Sequence, residues 1–253
     1  MESKRYFIEF SYDGAAFHGW QKQPNAISIQ ELIEDGLSNL LRCKTSVVGA
    51  GRTDAGVHAR QMFAHFNASI NKGFFKELVY LLNSYLPKSI NIMSIERVKT
   101  TAHARFDAVE RTYKYYISTI KDPFNNSYHY FIKNPPDIDL MNEASKIIIG
   151  CKDFKSFSKS HSDVKTFICE IKNAFWYRKD NQLIFSITSN RFLRNMVRSI
   201  VGTLLEIGFK KTTFEDLNKI IKSRDRSRAG FSVPANGLFL TKIVYPSNIY
   251  IRQ

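Results

Sequence analysis

The chain has 253 residues, 43% hydrophobic and 24% charged, with 37 Lys and Arg against 23 Asp and Glu for a formal net charge of +14. At about 150 residues per domain this suggests one large or two small domains, and the composition excludes disorder, collagen-like repetition and a disulfide miniprotein. The charge points to a polyanionic partner, and nucleic acid is favoured over a membrane because no segment approaches the roughly 20 apolar residues needed to span a bilayer. No C-terminal lipidation motif closes the chain. Cys43, Cys151 and Cys169 show no C-x-x-C spacing, which fits a reducing compartment better than a zinc site. The N-terminus runs into an alternating segment without an apolar signal stretch, so a cytoplasmic protein is expected.

In chain order, Tyr6, Ile8, Phe10 and Tyr12 alternate with Phe7, Glu9 and Ser11, the period of a strand. Ser28 stands three residues before Glu31, a capping-box spacing, and Ile29, Leu32, Ile33, Leu37, Leu40 and Leu41 follow at helical intervals, predicting a helix over 28–41. A short stretch at 46–48, a glycine-rich loop to His58 and an apolar run at 62–66 come next. Phe74, Leu78, Leu82 and Tyr85 predict a second helix, stopped by Pro87. Strands are expected at 90–98 and 112–120. Asp122-Pro123, Asn125-Asn126 and Asn134-Pro135-Pro136 mark 121–139 as a loop or excursion between domains. Beyond it come a helix at 140–149, a hairpin of 167–177 with 183–188 turned at Asp180-Asn181, helices over 192–207 and near 214–221, and a last strand at 238–245. The pattern predicts an α+β protein of two mixed halves, packed as a continuous, mainly antiparallel sheet with helices on one side.

The richest local signal is the run from Gly49 to Ala59, Gly-Ala-Gly-Arg-Thr-Asp-Ala-Gly-Val-His-Ala. It lacks the third glycine of a dinucleotide fingerprint and the Gly-Lys-Ser/Thr of a P-loop, so phosphate cradling is excluded. Asp54, two residues from Arg52, is a candidate nucleophile or general base whose charged form the guanidinium favours. An Asp in a glycine-rich turn also commonly caps its own backbone, and that reading stays open. Asp54 and His58 have i,i+4 spacing, but Gly56 weakens a helix there and no further ligand cluster lies nearby, so a metal site is the weaker reading. The loop Phe17 to Gln23 mixes aromatic, amide and cationic groups suited to stacking on bases, or to plugging a domain edge. His103 and Arg105 fall on one face of an extended segment. Arg191, Arg194 and Arg198 recur at helical spacing beside the apolar Phe192, Met196 and Ile200. The basic run Lys222, Arg224, Arg226 and Arg228 reads as charge tracking a nucleic-acid backbone or as solubilising surface.

These blocks, with Tyr12-Asp13-Gly14, His18-Gly19-Trp20-Gln21, Arg111-Thr112-Tyr113-Lys114-Tyr115, Asp153-Phe154, Arg194-Asn195-Met196-Val197-Arg198 and Gly237-Leu238-Phe239-Leu240, resemble the tRNA pseudouridine synthase A family over nearly the whole length. The resemblance implies the pseudouridine synthase fold, with ferredoxin-like character in each half. It implies an isomerase that converts uridine to pseudouridine in the anticodon stem-loop of tRNA, at positions 38–40, without metal or cofactor, and a homodimer gripping one tRNA. It divides the chain at 105/106, with the catalytic Asp54 in the first half. On that resemblance Arg52 holds the target nucleotide out of the stack, Tyr113 packs on the uracil, Arg198 pairs with Asp54, and Leu238 walls the pocket. Lys72, His103, Arg105 and Arg194 are the expected tRNA contacts. Two other readings stand beside it: a non-catalytic RNA-binding module, and a metal-dependent nuclease using Asp54 and His58.

Overall fold

The computed structural model describes residues 3–160 and 164–251. Its contacts divide the chain into two compact units, Met1–Val109 with Leu240–Gln253, and Glu110–Phe239.

In the first unit come β1 (Lys4–Tyr12), α1 (Ile29–Leu41), β2 (Val48–Gly49), β3 (His58–Ala68), α2 (Phe75–Tyr85) and β4 (Ile90–Arg97). β1 is the middle strand of an antiparallel trio, with Ile8 opposite Ala64 on β3 and Ile95 on β4. Its alternation buries both faces. Tyr6 packs on Phe75 of α2 and Phe10 stacks on Trp20, while Phe7 meets Phe63 on the other side. The α1 boundary follows from its cap: extended Ser28 accepts the Glu31 N–H on its hydroxyl, and Arg42 ends the helix in the left-handed region at φ 51°. Leu86, extended before Pro87, ends α2.

The second unit holds β5 (Glu110–Ser118), β6 (Tyr130–Phe131), α3 (Ile138–Gly150), β7 (Ile171–Lys179), β8 (Gln182–Ser189), α4 (Met196–Gly208) and α5 (Phe214–Ser223). Strands β5, β8 and β7 lie in that order and antiparallel, with β6 parallel to β5. The β7–β8 hairpin turns at Asp180, whose φ of 52° suits a tight connection. Segment 121–139 is thus not all loop, since it supplies β6 and, capped by Asp137, the start of α3. α4 is buried on nearly every side, from Met196 and Val197 to Ile207, which accounts for its apolar surround. The thiols of Cys151 and Cys169 are buried here, and desolvation raises both to about 11, so neither is a reactive thiolate.

The last strand is β9 (Leu238–Val244). From Leu240 onward this segment groups with the first unit, not with the second half in which the sequence had put it. The reason is packing: Tyr245 stands edge-on to Phe7 at 4.9 Å and Phe63 at 5.1 Å, and the Ile243 N–H donates to Gln61 Oε1 at 2.8 Å.

Candidate active site

The loop bearing Asp54 is an interruption between two paired strands. β2 pairs with β3 through Val48 and Gly49, and the Ala50 N–H donates to the Phe63 carbonyl at 2.8 Å. The chain then leaves the sheet for residues 51–57 and re-enters at His58. Inside this excursion the Val57 N–H closes a turn onto the Asp54 carbonyl at 3.2 Å, and Gly56 supplies the positive φ of 77° that the turn needs. Asp54 is half-buried and Arg52 exposed. The side chain of Thr53 between them is buried and bonded to the Tyr12 hydroxyl at 2.8 Å.

A second loop, residues 13–21, clamps this one. The Trp20 N–H donates to the Thr53 carbonyl at 3.2 Å. Gly19, at φ 90°, has no room for a side chain, because a Cβ there would lie 2.5 Å from that same carbonyl oxygen. The Trp20 ring is 2% exposed, and burying an aromatic of that size contributes about 4–6 kcal/mol of gross transfer free energy. His58 Nδ1 lies 3.0 Å from the Gly14 N–H and 2.9 Å from Asp13 Oδ1. It accepts from the first when unprotonated and donates to the second when protonated. His58 is therefore committed to the loop clamp at 1% exposure, and its spacing to Asp54 spans a turn and not a helix face. Among the described residues no group of three His, Cys, Asp or Glu could hold a metal ion.

The remaining pocket residues of the expected set belong to the second unit. Tyr113 on β5 stands opposite Ile187 of β8, its ring edge-on to Phe192 at 5.1 Å. Arg198, in the first turn of α4, donates from Nε to the Val233 carbonyl at 2.7 Å, and the Val233 N–H returns a bond to the Arg198 carbonyl at 3.3 Å. Two residues along β5 from Tyr113, Tyr115 donates to the Pro234 carbonyl at 2.9 Å. Segment 233–238, which ends at buried Leu238, thus joins β5 to α4.

Several expected features differ. The arginine stripe does not form: Asn195, at φ 66°, precedes the first residue of α4, so Arg191 and Arg194 lie on the approach to the helix and only Arg198 is on it. Arg194 is exposed, and its carbonyl takes the Lys159 N–H. His103 and Arg105 are in a turn and not an extended segment, because the Asp107 N–H bonds the His103 carbonyl at 3.0 Å. His103 Nδ1 accepts from the Arg105 N–H at 3.1 Å, which leaves the Arg105 side chain exposed above the Phe106 ring. Lys72 lies in a short 3-10 turn, and its side chain is outside the described residues. Sequence reasoning missed the Tyr12–Thr53 bond and the contacts of Ser232 and Asn195. Tyr12, Thr53 and Asn195 were signalled only by membership of the quoted blocks, and Ser232 by nothing in them.

His65, beneath this turn, sets an acid limit on the first unit. It is buried, accepts the Ala104 N–H on Nδ1 at 3.1 Å and stands edge-on to His103 at 4.6 Å. Desolvation above all, then Arg5 and His103, lowers its pKa to about 4. The unfolded chain takes this proton first, so the contribution is present above about pH 6.5 and is lost as pH falls towards 4, at most roughly 3 kcal/mol. Thermal midpoints measured across that window should fall more steeply for the natural chain than for His65→Asn, and equal slopes would remove His65 from the account.

Residues 9–107 and 144–246 match the tRNA pseudouridine synthase family. The chain belongs to it. Over 251 residues it is 51% identical to tRNA pseudouridine synthase A of Bacteroides fragilis, covering 99% of this chain and 100% of the relative. It is 48% identical to the synthase A of Bacteroides thetaiotaomicron, covering 99% and 94%, and 40% identical to that of Clostridium acetobutylicum, covering 96% and 100%. The part matched to the pseudouridine synthase family includes the Asp54 loop, its Gly14–Trp20 clamp, α4 and segment 233–238, while Tyr113 lies between the two matched stretches.

Proposed function

We propose that this tRNA pseudouridine synthase isomerises uridines of the anticodon stem-loop, with Asp54 as its catalytic carboxylate and no cofactor. The observation that carries the reading is a half-buried aspartate on a loop clamped from both sides, in a chain matched to the family over most of its length. The reaction breaks the bond from uracil N1 to ribose C1′, turns the base while it stays enclosed, and joins C5 to C1′. The proton lost from C5 is balanced by the one gained at N1. A carboxylate serves either at C1′, as a nucleophile that the base then displaces, or at C5, as the group that takes the proton.

A stacked uridine is out of reach, so the nucleotide must be extruded at a cost of a few kcal/mol. Exposed Arg52, beside the carboxylate in sequence, suits holding the displaced nucleotide or its phosphate. Tyr113, half-buried and braced by Phe192, offers a ring face for the free base, and Leu238 an apolar wall. Arg198 brings the terminal nitrogens of a guanidinium whose Nε is anchored to Val233, a geometry suited to an anion. Lys72, His103, Arg105 and Arg194 would contact the RNA backbone, helped by the net charge of +14. We further propose a homodimer acting in the cytoplasm. Among the described residues no helix is long and apolar enough to cross a membrane.

Incubating the protein with an unmodified tRNA transcript and mapping pseudouridine by carbodiimide-dependent primer extension tests the proposal. New stops are expected in the anticodon arm, without metal and with the RNA intact. Stops elsewhere only would overturn the site assignment, and cleavage would favour a nuclease.

A further inference from the structure

We propose that Arg226 is a positioning residue for the reaction: together with Ser232 and Asn195 it locks the strap formed by residues 229–234 onto α4, and the strap in turn aims the guanidinium of Arg198. The inference rests on the reading of Arg198 as a substrate-binding group. Within the basic run, Lys222, Arg224 and Arg228 are exposed whereas Arg226 is half-buried and turned inward. Its Nη1 donates to the carbonyls of Ala229 and Gly230, both at 3.2 Å, and its Nη2 to the Ser232 hydroxyl at 2.8 Å. All three acceptors are neutral, so the residue ties backbone together and forms no ion pair through these contacts. Desolvation lowers its pKa, the mark of a cation drawn from water.

The strap touches α4 along its length. The Gly230 N–H donates to the Thr203 hydroxyl at 2.9 Å, and a Cβ on Gly202 would lie 1.9 Å from the Phe231 carbonyl oxygen, so the two backbones are in direct contact. Ser232 Oγ accepts from Asn195 Nδ2 at 2.6 Å as well as from Arg226, and the same amide reaches Ser199 Oγ at 3.0 Å. Asn195 is the left-handed residue that starts α4, so this amide pins the helix start to the strap. The next residue, Val233, exchanges two bonds with Arg198. One connected path therefore runs from Arg226 through Ser232 to the carbonyl that holds Arg198 Nε. A long, flexible side chain is aimed only as well as its anchor is held, and a misplacement of about 1 Å is enough to cost catalysis.

The test is a double-mutant cycle read as single-turnover rate at saturating tRNA, with thermal midpoints recorded to show that each variant folds. Arg226→Gln and the milder Ser232→Ala should each slow the natural chain about tenfold, the scale of one bond to a charged group, yet slow an Arg198→Gln background by less than about twofold. Arg226→Lys, which keeps the charge and loses the fork, should be slowed like Arg226→Gln. Equal factors in both backgrounds would overturn the proposal, since the strap would then act through the fold at large. Full activity of Arg226→Lys would also overturn it, leaving a simple basic surface. If Arg198→Gln alone runs at the natural rate, the reading of Arg198 falls and the positioning role with it, an outcome separate from the other two.

Discussion

Replacing Asp54 by Asn should lower the single-turnover rate of pseudouridine formation by at least about 10³-fold while tRNA affinity changes by no more than a few-fold. The substitution keeps shape and volume, and the loop is held by contacts made elsewhere: Tyr12 to Thr53, Trp20 to the Thr53 carbonyl, and Val57 back to Asp54 through backbone alone. The fold and the basic surface should therefore survive. What disappears is the carboxylate, and an amide serves neither as nucleophile at C1′ nor as acceptor for the C5 proton. Gel-shift affinity and single-turnover kinetics on the same tRNA separate binding from chemistry. If Asp54→Asn turned over within about tenfold of the natural chain, the catalytic group would have to be sought elsewhere, and a loss of binding in step with activity would make Asp54 a binding residue.

Gly14→Ala should damage the same site without touching a reacting group. A Cβ at Gly14 would lie 2.1 Å from the Val57 carbonyl oxygen and 2.7 Å from its carbon, both backbone atoms of the Asp54 turn. Rotamer changes cannot relieve that overlap, so the loop of residues 13–21 has to lift from the loop of residues 51–57. The bond from the Gly14 N–H to His58 Nδ1 would be strained with it. Overpacking of this kind costs about 1–3 kcal/mol, a drop of several degrees in thermal midpoint. A displacement of about 1 Å at the carboxylate should lower the turnover rate about 100-fold. Gly150→Ala is the control: nothing lies within 4 Å of its Cβ position, and midpoint and rate should stay close to natural values. A Gly14→Ala protein with natural activity would mean that the contact between the loops does not hold the carboxylate in place.

Much of this was legible before any coordinates. Ser28, Pro87 and the Asp180-Asn181 turn act through bonds and dihedrals within a few residues, so α1, α2 and the β7–β8 hairpin followed from the sequence with boundaries off by a few positions. Asp54 stood out because three glycines flank a carboxylate and a guanidinium within eight residues. The arginine series misled because helical spacing predicts a shared face only where the backbone is helical, and Asn195 in the left-handed region is a local choice that periodicity does not register.

What the amino-acid order determined alone was the class of protein, its basic character, its main helices and strands, and the loop where chemistry is proposed, all set by composition or short-range geometry. The folded chain decided which of four neighbouring cations turns inward, why Gly14 and Gly19 must lack side chains, and that the final strand joins the first unit. The inward turn of Arg226 is made by acceptors within six residues that follow no regular spacing, whereas the two glycines and the final strand depend on atoms brought together from tens or hundreds of residues apart, and close packing between distant backbones leaves no periodic trace along the chain.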